Sequence, residues 1–454
     1  MTFKAWFPPA ASALVLVLAC GAALGLRTRA DRSTKGPSLD PTDLPDRVPY
    51  EPGLADRTIA FWERQAALDP QGFLELRDLS NAYLARQRET GDIADAVRAE
   101  DAARRSLRIL RRGNVAAMIR LGRALLAQHR FADALEIAQE AALASSEGVR
   151  LLADVQLERG DYAAARKALA DSPPTADDPN YHALRARLEE VQGNTEYALR
   201  LLGEAQSLAD ARADLPAEVV AWYRNAVGHA LIDAGRLDEV ERACLSALEV
   251  FPRDYRALTG LTEVAFWRGD WANAIARGEQ ALAITPQNPA ARKLVGDAHA
   301  ARGEAEEAER QYARLTELCR SFPKIYDRHR ALFCAETGRD LDEALALARA
   351  DLEARQDVQG YDALAWVCSK KAMQAEAEEA IGKALAQGTR RATLFYHAGM
   401  IARVGGDVAR AKQYFTEARS INPRSVPLRW LRWLDTVADP ARPDPATGGD
   451  SPRG

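Results

Sequence analysis

Two patterns of apolar and polar positions organise the chain. The first is an uncharged run, Ala5 to Leu26, lying between Lys4 and Arg27. Beyond it, runs of alternating β-branched residues of the kind that mark a strand are scarce. In their place a phrase returns: a small residue, a glycine, a polar residue, then a helical stretch with alanine at a fixed offset. Arg268-Gly269-Asp270-Trp271-Ala272-Asn273-Ala274 matches Arg302-Gly303-Glu304-Ala305-Glu306-Glu307-Ala308, and Gly405-Gly406-Asp407-Val408-Ala409-Arg410-Ala411 matches both. The anchor of the phrase falls at Ala96, Ala134, Ala165, Ala198, Val240, Ala274, Ala308, Ala344, Ala377 and Ala411, a period of about 34 residues. Alanine, leucine, arginine and glutamate dominate the composition, and all are good helix formers. The pattern predicts an all-α chain of about ten helix–turn–helix units.

Further positions recur with the anchor. Twelve residues before it stands a small residue (Ser80, Gly122, Ala153, Ala186, Gly228, Gly296, Ala365, Gly399), which lets two helices approach closely. Five before it comes a glycine (Gly160, Gly193, Gly235, Gly269, Gly303, Gly406), suited to the positive φ at the end of a helix. Four after it comes a large residue, as at Leu169, Leu202, Tyr312 and Phe415, and twelve after it a helix-stopping proline at Pro252, Pro286 and Pro423. From Gly72 to Pro423 this resembles the tetratricopeptide repeat family. The resemblance implies a right-handed superhelical solenoid of about ten helix pairs with capping helices at its ends. Three places depart from the pattern. Arg86 to Gly91 carries extra residues in the first turn, Ala209 to Ala217 is an insertion, and Arg330 stands where an apolar residue is expected. Ala55 to Pro70 reads as a lone second helix with Trp62 and Leu68 facing the array, and Val426 to Val437 as a capping helix.

The resemblance also implies that the first helix of each unit lines a concave groove for a peptide or protein partner. Transferred to this chain, the groove residues are Trp222, Asn225, His229 and Asp233 in the fifth unit, Arg256, Glu263 and Trp267 in the sixth, and Lys293 and Asp297 in the seventh. Earlier units add Arg77, Asn81, Arg123, Arg150, Asp154 and Arg187; later ones add Arg328, Asp362, Trp366, Lys370, Tyr396 and Arg403. Some relatives clamp a terminal carboxylate with a lysine and an asparagine. Here Lys293 is followed by Asp297 in place of the asparagine, and an aspartate would repel that ligand.

The uncharged run would span about 33 Å as a helix, close to a bilayer core. Pro8 and Pro9 shorten its dependable part to Ala10–Leu26. Residues 1–27 therefore read as a signal anchor, a cleaved secretory signal, or a lipoprotein-type signal with Cys20 as the lipidation site. Arg27, Arg29, Arg32 and Lys35 follow the run, so positive-inside counting favours a cytoplasmic bulk. Short signals ahead of long domains favour export, and the expectation here is a membrane-anchored, extracytoplasmic or periplasmic array. Prolines at 37, 41, 45, 49 and 52 predict an extended tether over 28–56, followed by the array over 57–424, a cap over 425–438 and a disordered tail over 439–454.

Composition narrows the chemistry. A formal charge of −4, from 61 basic and 65 acidic residues, gives no electrostatic reason to expect nucleic acid. The five cysteines form neither a zinc pattern nor a disulfide framework. The six histidines lie in separate units without paired spacing, so no metal site and no cofactor are expected. No GxSxG, phosphate-binding loop or dinucleotide motif occurs, and the repeats consume the folded length. The expectation is a membrane-associated scaffold or adaptor, not an enzyme and with no small-molecule substrate. The alternative is a structural subunit of an envelope-assembly, secretion or transport complex.

Overall fold

The computed structural model describes residues 49–172, 174 and 178–424. Among them are 21 helices and no strand, and no helix is long and apolar enough to cross a membrane. The expected membrane segment with Cys20, the capping helix, the tail and most of the tether lie outside the described residues. A single helix α1 (Leu54–Leu68) leads ten pairs. These are α2/α3 (Phe73–Thr90, Ile93–Ile109), α4/α5 (Val115–Ala127, Phe131–Ala142), α6/α7 (Ser146–Arg159, Tyr162–Asp171), α8/α9 (Pro179–Val191, Thr195–Asp210) and α10/α11 (Ala217–Ile232, Leu237–Val250). The chain continues with α12/α13 (Tyr255–Trp267, Trp271–Ile284), α14/α15 (Pro289–Ala301, Ala305–Ser321), α16/α17 (Asp327–Thr337, Leu341–Ala354), α18/α19 (Val358–Lys370, Gln374–Leu385) and α20/α21 (Ala392–Val404, Val408–Ile421). The fold is an all-α helical solenoid.

Local chemistry explains where each helix starts and stops. Asp161, Asp178, Asp270, Asn288 and Asp407 each accept a hydrogen bond from a backbone N–H of the helix they precede, satisfying a donor that the first turn leaves orphaned. The anchor residues sit where the two helices of a unit cross, and all ten are buried, Ala308 at 3% exposure and the rest at 0%. The small residue opposite is a steric requirement. A Cβ added to Gly399 would lie 2.6 Å from Phe415 Cε1, the large residue four positions after its own anchor.

The turn between the two helices of a unit needs a left-handed residue. Glycine supplies it in most units, but His129 (φ 55°) and Ala372 (φ 57°) hold the same place in the second and ninth. His129 is tied down there, its Nδ1 3.3 Å from Lys324 O and its ring stacked on Phe131. Ala372 is exposed and carries only the strain. Ala372→Gly should therefore raise stability by about 0.5–1 kcal/mol, read as a higher midpoint in urea; an unchanged or lower midpoint would contradict it.

Three expectations are corrected by the packing. Leu68 is 80% exposed; α1 faces the array through Ala55, Ile59, Trp62 and Ala66, a stripe that Leu68 lies off. The extra residues at Arg86 to Gly91 lengthen α2 to 18 residues, with Gly91 (φ 71°) as its left-handed cap, so they extend the helix and not the turn. Helix α1 begins at Leu54, inside the stretch expected as tether, and just before it the Tyr50 ring meets Phe251 edge-on at 4.8 Å. Arg330 does fill an apolar position. It is 2% exposed, and Glu343 and Asp340 receive its guanidinium.

Successive turns of the superhelix touch. The turn inside unit n meets the loop that follows unit n+5, in all five places where this can occur. Thr285 Oγ1 donates to Thr90 O (2.6 Å), and Lys324 O faces His129. Gln356 N donates to Arg159 O (2.9 Å), and Val358 N to Tyr162 Oη (3.0 Å). Thr389 Oγ1 donates to Val191 O (2.5 Å), and Gly235 abuts Asn422. These contacts form a continuous seam that closes the solenoid sideways.

Candidate partner-binding channel

With the seam closed, the first helices of the units look inward at one another across a narrow axial channel. Its walls are charged. Arg88 Nη2 reaches Glu218 Oε1 at 3.0 Å, from the first unit to the fifth. Arg187 donates to Asp154 (2.7 Å) and Glu158 (2.5 Å) one unit back. Arg391 Nε donates to Asp233 Oδ2 at 2.6 Å, tying unit ten to unit five.

Enclosure shows in how the wall groups titrate. His229 and His329 are exposed to solvent yet surrounded by protein, and burial lowers the pKa of both, that of His329 to about 4. Burial raises Glu89 to about 7, with Glu218 adding to the rise and Arg88 opposing it. A carboxyl raised above its unfolded value of 4.5 contributes stability that is complete below that value and is lost as pH climbs through about 7. Glu89→Gln, permanently neutral, should thus leave the melting temperature unchanged at pH 4 and raise it at pH 8. Equal shifts at both pH values would refute this account. The histidines act in the opposite window, their contribution being present above 6.5 and fading as pH falls toward 4.

Two of the cavities along the channel hold most of the fifth- to seventh-unit candidates. One, of about 390 Å³, is walled by Glu158, Arg187, Glu190 and His229 on one turn and by Arg355, Thr389 and Arg391 on the next. The other, of about 450 Å³, has aromatic walls of Phe266, Trp267, Trp366 and Tyr396 together with Glu263, Lys293, Asp297, Glu336 and Lys370. Asp233 borders both, so its bond to Arg391 partitions them.

Comparison with known protein families matches part of the array. Residues 144–188 and 265–318 match one tetratricopeptide repeat model, and 225–289 match a second. Within those segments the chain matches tetratricopeptide repeats. Such repeats are a protein-interaction architecture. Solved structures with similar folds include a tetratricopeptide repeat protein from Parabacteroides merdae ATCC 43184 (19% identity, 54% of this chain and 93% of that one, TM-score 0.37). Others are the Cut9–Hcn1 hetero-tetramer of APC/C (14% identity, 81% and 96%, TM-score 0.25) and MamA AMB-1 (18% identity, 38% and 98%, TM-score 0.31). No curated protein matches the chain.

The tetratricopeptide register places the candidate groove residues unevenly. His229 and Asp233 line the smaller cavity; Asp233, Glu263, Trp267, Lys293 and Asp297 meet around the larger one. Glu263 accepts from Trp267 Nε1 at 3.3 Å, and burial raises its pKa. Burial alone would depress the Lys293 ammonium, but Glu336 (2.8 Å) and Asp297 (2.6 Å) outweigh it and hold the pKa above the ordinary lysine value. Three candidates lie elsewhere. Trp222 is 37% exposed and contributes to neither cavity. Asn225 accepts from Cys244 Sγ (3.3 Å) inside its own unit, and Arg256 Nη1 donates to Arg88 O (2.9 Å) at the seam.

Among the additional groove positions, Arg150 is corrected, and Arg328 lines the smaller cavity but is drawn almost wholly inside. Arg150 is 3% exposed and held by Asp178 and Ser172. Arg328 is 6% exposed, its guanidinium locked between Asp351 and Asp357 while Arg355 Nε holds the far side of Asp351. Both are structural cations of the helix-pair interface. Repeat register missed Arg391, which lies just before α20, and Glu190 and Glu336. No one-dimensional pattern marks Arg391, because its partner Asp233 is five units away in the chain. The four described cysteines are free and buried.

Proposed function

We propose that this protein is a membrane-associated scaffold that holds a peptide or protein partner within the axial channel, at the larger cavity above all. The observation that carries the reading is the composition of that cavity. Tryptophan and tyrosine walls with charged groups among them, contributed by separate units, have the chemistry of binding hot spots, where rigid aromatics supply most of the contact energy. Much of the remaining wall is ion-paired, as Arg187 with Asp154 and Glu158 and Arg391 with Asp233.

The test is photocrosslinking in cells from residue 267, with residue 222 as the control outside both cavities. The reading expects a discrete crosslinked partner from 267. Crosslinks from 222 alone, or from neither position, would refute it. We further propose that the N-terminal segment anchors the array on the extracytoplasmic side. Externally added protease should then cleave the array in spheroplasts but not in intact cells, and protection in both would place it on the cytoplasmic side.

A further inference from the structure

Helix α1 repeats its chemistry every seven residues. Leu54, Phe61 and Leu68 open successive heptads; Asp56 and Glu63 stand two places on, Arg57 and Arg64 three, Thr58 and Gln65 four. On an α-helix each class forms its own stripe, drifting only about 20° per heptad. The array uses one side of this helix. Ile59, Trp62 and Ala66 join the core built with α2, and the acids lean the same way, Asp56 accepting from Arg86 (2.8 Å) and Glu63 from Tyr83 Oη (2.5 Å). The apolar stripe has no such use: Phe61 is 41% exposed and Leu68 80%. Leu54 is 44% exposed but borders a cavity beside Tyr50 and Trp62, so the open part of the stripe is Phe61 and Leu68. Exposed apolar side chains rimmed by polar ones mark a surface that something covers.

Two observations say what covers it. The first is charge. Arg57 and Arg64 flank the stripe at about 60° round the helix, whereas the acids lie about 160° away and are taken up by α2. Arg64 has no ion pair among the described residues. Arg57 pairs with Glu51, but both groups are exposed, and such a pair in water holds only weakly. A second copy packed antiparallel about a two-fold axis would bring the two arginine flanks together, like against like. Anionic headgroups would instead receive both arginines, their stems lying along the apolar stripe. The second observation is what precedes the helix. The uncharged run ends at Leu26, and residues 27–53 reach about 90 Å even when fully drawn out. With that run in a bilayer, α1 is the first helix of the array that the tether delivers to the membrane surface, and Arg27, Arg29, Arg32 and Lys35 draw the tether there too.

We infer that the outer face of α1 rests on an anionic bilayer surface, Phe61 and Leu68 entering the headgroup boundary while Arg57 and Arg64 reach lipid phosphates. The inference rests on the chain being membrane-associated and adds where the array touches the membrane and which lipids it prefers. Two apolar side chains and two cations bind a bilayer weakly by themselves. The tether keeps them near it, so a weak contact suffices. A tether alone would leave the array free to turn; this contact fixes which end of the solenoid lies against the membrane.

The test uses the full-length protein in vesicles of phosphatidylcholine and radiolabelled phosphatidylglycerol in equal parts, with photoreactive benzoylphenylalanine at 61, 68 or 67. Ala67 is the control, exposed on the same helix but turned about 100° from Leu68. Lipid adducts should form from 61 and 68 and be several-fold fewer from 67. Arg64→Glu should cut the adduct from 68 by about fivefold or more, and Arg64→Lys should keep it. Equal adducts from 67 and 68, or an unchanged yield in Arg64→Glu, would overturn the inference. So would a crosslinked pair of chains, or another protein, captured from 68 in place of lipid. Protein that floats with the vesicles yet gives no lipid adduct from 61 or 68 would end the inference and leave membrane association standing. Protein that does not float at all would remove membrane association itself, and this contact with it.

Discussion

Gly160→Ala will force adjacent turns of the superhelix apart, whereas Gly303→Ala will not. Both glycines occupy the turn of a unit with nearly the same φ, 82° and 79°. Each variant therefore incurs the left-handed penalty of about 1–2 kcal/mol. Their surroundings differ. A Cβ on Gly303 would meet nothing within 4 Å, but one on Gly160 would lie 2.3 Å from Gln356 O and 2.7 Å from Asp357 N, the backbone of the next turn. Backbone cannot rotate away as a side-chain tip can, so the loop must retreat, adding about 1–3 kcal/mol. With it go the bonds from Gln356 N and Val358 N across the seam. The expected readings are a lower unfolding midpoint for Gly160→Ala than for Gly303→Ala, a larger radius of gyration in solution scattering, and faster hydrogen exchange at the 356 and 358 amides. Equal behaviour of the two variants would show that the turns do not bear on one another.

Arg328→Leu should be the most damaging single change to a side chain. Arg328 neutralises Asp351 and Asp357, whose side chains are 4% and 13% exposed, and only Asp351 has a second cation, Arg355. Removing one member of a buried ionic group leaves the others uncompensated and costs about 3–5 kcal/mol. Asp357 also caps α18 through Gly360 N (2.6 Å) and precedes the seam residue Val358, so the loss spreads to the ninth unit. Because neighbouring units support each other, it should appear as an early separate transition of units eight to ten in urea, not a uniform shift. Arg328→Lys should recover only part of the stability, since a point charge cannot fork between two carboxylates. A single transition at the parent midpoint would dispose of this argument.

Most of the architecture could be read from the sequence because it is local. The anchors, their small opposing residues and the turn glycines are all fixed within one period, and the structure buries or bends each accordingly. Legibility fails wherever a contact depends on the small rotation from unit to unit summed over four or five units. The pairs Asp233–Arg391 and Arg88–Glu218, and the seam itself, are of this kind. Register also cannot distinguish a groove cation from a buried one. Position puts Arg328 on the cavity wall, and two aspartates further along the chain draw most of it inside. At the site, Glu263 and Trp267 were within reach of the pattern, while the partition by Arg391 and the place of Trp366 in the cavity wall needed the three-dimensional closure.

The seam also bears on mechanics. An open coil of helix pairs, pulled at its ends, stretches softly by flexing small interfaces in series. In this molecule Gln356 is bonded to Arg159 and Thr389 to Val191 from one coil to the next, so the first ångströms of extension load these hydrogen bonds directly. Such a coil resists like a rod until those links give way and only then lengthens like a spring. Tension on the chain would be the natural means of widening its bore.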